Sequence, residues 1–180
     1  MLWMQLQISK KLLGITFNQN LLWNEHIIEI SKSCYSVLSA LRRIRNFTDF
    51  KLRKNIAEML LLSKIDYNNF ILHSIQEHLL RKLQKVQNAA ASFVTGKYSS
   101  SEDCVKLGLL PIKQRRKWHL LKIVHKAIYN PLWPSVNKLD RYQSQRELRS
   151  TDAVQLTIPL EKNTFQDLSA QIFNKLPMWT

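Results

Sequence analysis

Glycine and cysteine are scarce in this chain, and acidic residues are few. Only Gly14, Gly96 and Gly108 occur among 180 residues, which excludes collagen-like repeats, glycine-rich phosphate loops and dinucleotide fingerprints. Cys34 and Cys104 are the only cysteines. Two so far apart make neither a disulfide framework nor a zinc knuckle, and both suit burial in a reducing compartment. No Asp-Asp pair exists, and Asp49, Asp66 and Asp103 stand apart at helix and turn boundaries. Two-metal phosphoryl transfer needs carboxylates that hold magnesium ions a few ångströms apart, so no catalytic residue, metal or cofactor is expected here. His26, His73, His78, His119 and His125 lack ligand spacing, and neither cysteine has an identifiable base partner. Long apolar runs are missing too. Met1 to Leu13 is interrupted by Gln5, Gln7, Ser9, Lys10 and Lys11, too polar for a membrane span or a signal peptide.

Positive charge is what the chain has in excess. Lys and Arg number 27 against 13 acidic residues, a formal charge of +14 with pI near 10.0. Such a surface attracts phosphate backbones or anionic membranes. Hydrophobic residues make up 45% of the chain, enough for a real core in one ordinary domain or two small ones.

Periodicity predicts a mainly α fold with a minor β element. Leu13-Gly14-Ile15-Thr16-Phe17 reads as a short hairpin or sheet edge, in which Gly14 permits a bend or the close approach of a neighbouring backbone. A helix follows, capped by Asn24, with Ile27, Ile30, Cys34, Val37 or Leu38, Leu41 and Ile44 inward. A second begins at Thr48 with Asp49 in its first turn and Leu52, Ile56, Met59 and Leu60 inward. A third opens on a capping box formed by Ser74 and Glu77, buries Leu79, Leu83, Val86, Ala90 and Phe93, and closes at Gly96. Ser101 to Leu107 forms a short helix stopped by Gly108, with the acidic Glu102-Asp103 at its start. Pro111 starts a longer one with Ile112, Leu120, Ile123 or Val124, and Ala127 or Ile128 inward. After a polar linker near 134–152, Val154, Leu156 and Ile158 alternate as a brief strand, and Phe165, Leu168, Ile172, Phe173 and Leu176 suggest a last helix. The expected division is 1–23 for the β element, 24–98 for a helical domain and 99–180 for a basic carboxy-terminal helical region.

Two cationic clusters flank these apolar rows. Arg42, Arg43, Arg45, Lys51, Arg53 and Lys54, opposed only by Asp49, span the end of the first helix and the start of the second. Placed around one turn, they suit several phosphates at once. Lys113, Arg115, Arg116, Lys117, Lys122 and Lys126 have no acidic residue between them and enclose Trp118 and His119. Trp118 suits stacking on a base or packing between helices. Either cluster also reads as a solvated helix face.

The same residues resemble, in order, the post-palm region of non-LTR retrotransposon reverse transcriptases of the jockey and chicken-repeat type. Leu13-Gly14-Ile15-Thr16-Phe17 with Asn20-Leu21-Leu22-Trp23-Asn24-Glu25-His26-Ile27 is similar to the stretch after their palm motifs, and Ile65-Asp66-Tyr67 to their Leu-Asp-Tyr segment. Leu83-Gln84-Lys85-Val86-Gln87-Asn88-Ala89-Ala90 resembles their Leu-Gln-x-Val-Gln-Asn-x-Ala helix. Leu107-Gly108-Leu109-Leu110-Pro111 resembles their Leu-Gly-Trp-Leu-Pro segment, with Leu109 in place of the Trp. Ile123 to Tyr129, Leu148-Arg149-Ser150 and Ile172 to Pro177 have counterparts further on. Where relatives carry an arginine or two, this chain has Ala89-Ala90-Ala91-Ser92.

The resemblance implies a thumb-like helical bundle with a primer-grip-like β remnant, an element that guides template and primer beside a palm domain. It implies RNA, DNA or an RNA–DNA duplex as partner, and a setting consistent with the nucleus. The family's polymerase uses palm aspartates that belong before Leu13, so the chain is expected to be catalytically incomplete. Gly14 would shape the primer-side turn, while Arg42, Arg43, Arg45, Arg53 and Lys54, then Arg115, Arg116, Lys117 and Trp118, would contact nucleic acid. Two alternatives stand beside this: a helical protein-interaction module, and a fragment of an RNA-directed DNA polymerase active only with a palm supplied elsewhere.

Overall fold

The computed structural model describes residues 10–17, 23–67, 69, 75–134, 139–142, 154–162 and 164–176. It is mainly helical, with a two-stranded antiparallel hairpin at the amino end. Two compact units divide between Gln114 and Arg115.

The hairpin pairs β1 (Lys10–Leu12) with β2 (Ile15–Phe17), Leu12 opposite Ile15. Its two turn residues, Leu13 and Gly14, have φ of +47° and +80°, as a two-residue hairpin turn of mirror-image type requires. Ile15 is buried, and Thr16 is held through Oγ1, which donates to Glu29 at 2.8 Å.

Helix α1 (Asn24–Ile44) buries Ile27, Cys34, Leu38 and Leu41 as its period dictates, while Ile44 stays exposed. Asn24 does not cap it: it is already the first helical residue, and Trp23 precedes it without a side-chain capping bond. A 3-10 turn (Arg45–Phe47) leads to α2 (Phe50–Ala57), whose cap is Asp49, accepting from the Leu52 N–H at 2.9 Å.

The inward face expected for this second helix holds only at Ile56, which is half-buried against the core. Leu52, Met59 and Leu60 are exposed, and the buried residues are Ala57, Leu61, Leu62 and Ile65. Met59 and Leu60 fall in a π-helical turn over Glu58–Leu62, between α2 and α3 (Ser63–Asp66), whereas Leu52 precedes it on the outer side of α2. The i→i+5 pattern of that turn inserts a residue into the helical count and turns the apolar face by about one position.

Helix α4 (Glu77–Thr95) is the spine of the first unit and packs against both α1 and α2. Leu79, Leu83, Val86, Ala90 and Phe93 are buried as expected. Burying the leucine, valine and phenylalanine side chains contributes roughly 1.5–3 kcal/mol each. Gly96 closes the helix with φ of +81°. The expected capping box is not its start: Gln76 occupies the cap position without a side-chain bond, Glu77 is the first helical residue, and Ser74 lies outside the described residues. The reciprocal box stands at α5 (Ser101–Lys106) instead. There Ser100 Oγ accepts from the Asp103 N–H while Asp103 accepts from the Ser100 N–H at 2.8 Å. Helix α5, Leu109 and Ile112 all belong to this core, so the first unit runs past the boundary drawn at 98/99.

Helix α6 (Ile112–Tyr129) begins in the first unit and continues in the second. The second unit has its own small core of Leu120, Val124, Leu139, Leu156 and Ala170, with Phe165, Leu168, Ile172 and Phe173 against it. Helix α7 (Phe165–Phe173) is capped by Thr164, whose Oγ1 accepts from the Asp167 N–H. Of the alternating Val154, Leu156 and Ile158, only Leu156 is buried. It forms a single bridge with Arg141, and the Asn174 amide clasps its backbone N–H and C=O at 2.9 Å each. Most of the expected linker, and the Leu148-Arg149-Ser150 segment, lie outside the described residues. Among the described residues, no helix is long and apolar enough to cross a membrane.

Candidate functional site

The first cationic cluster is built by a helix ending, turning and starting again. Arg42 and Arg43 occupy the last turn of α1, where cations offset the negative end of the helix dipole. Arg45 opens the 3-10 turn, and Arg53 and Lys54 follow in α2. Of these, the fold brings Arg42 and Arg45 together. With Asn46, and with Ser92 and Phe93 of α4, they line a cleft of about 340 Å³.

Gly96 leaves room for Arg45. A Cβ at residue 96 would sit 1.7 Å from Arg45 Nη2, so the guanidinium lies directly on the glycine. The side chain is half-buried, and its Nε–H is buried without a hydrogen-bond partner. Arg53 Nε is in the same condition. Among the described residues, Arg42, Arg43, Arg45, Lys51 and Arg53 form no ion pair. Lys54 differs: its Nζ is 3.9 Å from Glu58 and lies beside Gly108. Arg43 is exposed and does not line the cleft.

Gly14 sits where the hairpin meets α3. Its added Cβ would be 3.2 Å from Tyr67 Cε1, and the Tyr67 hydroxyl donates to Leu13 O at 3.0 Å. A second cavity of about 300 Å³ opens beside it, lined among others by Lys11, His26, Glu29, Lys64 and Tyr67. His26 is 3% exposed. Its Nδ1 accepts from the Thr16 N–H at 3.4 Å, and its Nε2 is buried without a partner. Burial pushes its pKa down; Glu29 opposes this and Lys11 adds to it.

The second cationic cluster divides between the units. Lys113 belongs to the first and pairs with Glu77 at 3.6 Å. Arg115, Arg116, Lys117 and Trp118 belong to the second. Arg116 is half-buried, and burial lowers its pKa to about 10; it stays charged at neutral pH but offers less surface than an extended arginine. Lys117 is exposed. Trp118 is 47% exposed and belongs to neither core, yet Lys122 Nζ stands 3.6 Å over its ring. That cation–π contact already occupies one face of the indole.

The Leu-Gln-x-Val-Gln-Asn run proves to be a clasp inside the first unit. Gln84 Oε1 accepts from the Ile112 N–H at 2.9 Å, satisfying an orphan donor at the start of α6. Fully buried Gln87 donates to Leu110 O at 2.8 Å. Gln84 Nε2 in turn donates to Gln87 and Asn88, and Asn88 accepts from the Cys104 thiol. Ala90 and Ala91 are buried in the core. These two alanines therefore serve helix packing.

Sequence reasoning missed Asn46, Ser92 and Phe93 as cleft residues. Phe93 was legible only as core, and nothing in spacing ties Ser92 to Arg45 across the fold. Among the described residues, no group of three or more His, Cys, Asp or Glu side chains is placed to hold a metal ion.

Fold and site together define a basic, mainly helical protein with an arginine-lined cleft. Comparison with family models, curated proteins and solved structures returned no match for the chain.

Proposed function

We propose that this chain is a catalytically incomplete, retroelement-derived fragment that grips RNA or DNA backbone as a reverse-transcriptase thumb does. The observation that carries the reading is the set of five cations around the α1–α2 turn without an ion pair among the described residues, two of them sharing one cleft. Unpaired cations held on helices are available to phosphates, and such contacts position a duplex without reading its bases. The excess of 27 basic over 13 acidic residues supplies the long-range attraction. The ordered motifs from Leu13-Gly14 to Phe173-Asn174 support the retroelement origin.

The sequence holds no Asp-Asp pair of the kind expected to carry two magnesium ions, so the expected activity is binding without nucleotide incorporation. The test is association of the folded chain with an RNA–DNA duplex and with single-stranded RNA in dilute buffer, alongside primer extension with magnesium. Binding to both without extension supports the reading. A folded sample that ignores both polymers, or that extends a primer alone, overturns it.

One observation favours a second reading, a helical interaction module. Phe47 is 88% exposed and Met59 72%, and Phe50, Leu52 and Leu60 are also exposed on the same stretch of chain. Apolar surface of this kind suits a protein partner such as a palm domain. Protection of Phe47 and Met59 by such a partner, with no response to nucleic acid, would select it.

A further inference from the structure

We infer that the cleft between the end of α1 and the end of α4 seats a single phosphate group, held by the guanidinium groups of Arg42 and Arg45. The inference rests on the nucleic-acid reading above and narrows it to one site. Its lining contains two arginines, one amide, one hydroxyl and one aromatic ring, and no carboxylate. That composition selects an anion, and two guanidinium forks match an anion with several oxygens better than a carboxylate with two.

The donors are available. Arg45 lies on Gly96 with its Nε–H buried and unpartnered, and Arg42 forms no ion pair among the described residues. Ser92 is already spent: its hydroxyl donates to Asn88 O at 2.9 Å and accepts from the Ser99 N–H at 3.0 Å. Asn46, exposed beside the arginines, is the neutral donor within reach of the same cleft.

Electrostatics decide the sign of the ligand. The ends of α1 and α4 lie nearby, and each helix terminus carries roughly half a negative charge. Two arginines outweigh both ends together, so the cleft remains net positive. The left-handed Gly96 leaves the space that the Arg45 guanidinium occupies, because it has no Cβ to displace it. A flexible lysine at 45 would keep the charge and lose the fixed planar fork.

The phosphate has two possible sources, a polynucleotide phosphodiester or free inorganic phosphate. The full chain and its variants Arg42→Gln, Arg45→Gln and Arg45→Lys would be titrated with a short single-stranded RNA over a salt series, and with inorganic phosphate by thermal shift. For RNA, either Gln variant is expected to bind severalfold more weakly and to make the salt slope shallower, by at most about 0.7, the share of one single-strand phosphate. Arg45→Lys keeps the slope but binds severalfold more weakly. Arg42 is exposed, so its variant folds and remains informative if Arg45→Gln does not. If wild type binds RNA and the Arg42→Gln slope is unchanged, the cleft assignment falls while the broader reading stands. If RNA does not bind but phosphate stabilises wild type and not Arg42→Gln, the site stands with free phosphate as its ligand and the broader reading falls. No response to either ligand overturns both.

Discussion

At residue 96 a single glycine meets two demands at once. Its φ of +81° is one that side chains rarely adopt, and the space over its Cα belongs to Arg45. Gly96→Ala is expected to cost about 1–2 kcal/mol from the left-handed backbone, and also to weaken RNA binding by moving the guanidinium. Gly108 has φ of +77°, but Lys54 Nζ is only an ordinary neighbour at 3.8 Å. Gly108→Ala is therefore expected to lower the urea midpoint comparably and to leave RNA affinity unchanged. Equal binding losses in the two variants would contradict the role given to Arg45.

His26 carries a second prediction at this scale. Burial lowers its folded pKa below the ordinary 6.5, with Glu29 opposing and Lys11 reinforcing the shift. Between these two values the unfolded chain holds a proton that the folded chain does not, so stability falls as pH drops through that window. Above about 6.5 the contribution is complete. Urea midpoints measured from neutral to acid pH should show a loss in the wild type that is smaller in His26→Gln. Parallel curves would show that His26 titrates alike in both states.

Elements differ in how plainly the chain announces them. The faces of α1 and α4 were legible because Ile27, Cys34, Leu38 and Leu41, and Leu79, Leu83, Val86 and Phe93, keep an unbroken helical period. The second helix was not, since one π turn at Glu58–Leu62 shifts every later side chain, and no residue type there marks it. Caps were legible by kind and misplaced by position. Asp49 and Ser100 cap helices while Asn24 does not, because the cap depends on where the backbone leaves the helical region. The cationic clusters were visible as charge. What composition cannot carry is the meeting of Arg45 with Ser92, Phe93 and Gly96, which are brought together by α1 packing on α4.

The clasp on α4 yields a prediction for the same element. Gln87→Met keeps the volume but leaves Leu110 O without its buried donor. The expected loss is about 1–3 kcal/mol in chemical denaturation. Ser100→Ala, which removes one half of the α5 capping box, should cost about 1 kcal/mol. If Gln87→Met were neutral, the Leu110–Ile112 segment would owe its position to Ile112 burial and the Gln84–Ile112 bond.

On the scale of the whole molecule, charge and core serve separate purposes. Two apolar clusters, one in each unit, account for folding. Neither includes Arg42, Arg43, Arg45 or Lys117, and the formal charge of +14 opposes compaction through self-repulsion. Cations kept without ion pairs against that repulsion are the feature that the proposed polyanionic partner would explain. Their neutralisation should also stabilise the fold, because a ligand that binds only the native state shifts unfolding by mass action.

The most direct test is the dependence of wild-type affinity for an RNA–DNA duplex on salt concentration. Each phosphate neutralised releases condensed counterions, giving a log–log slope of about −0.9 per contact. The proposal requires a steeply negative slope, reflecting several contacts, with a matching rise in melting temperature at low salt. A folded protein whose binding is absent, or independent of salt, would contradict it.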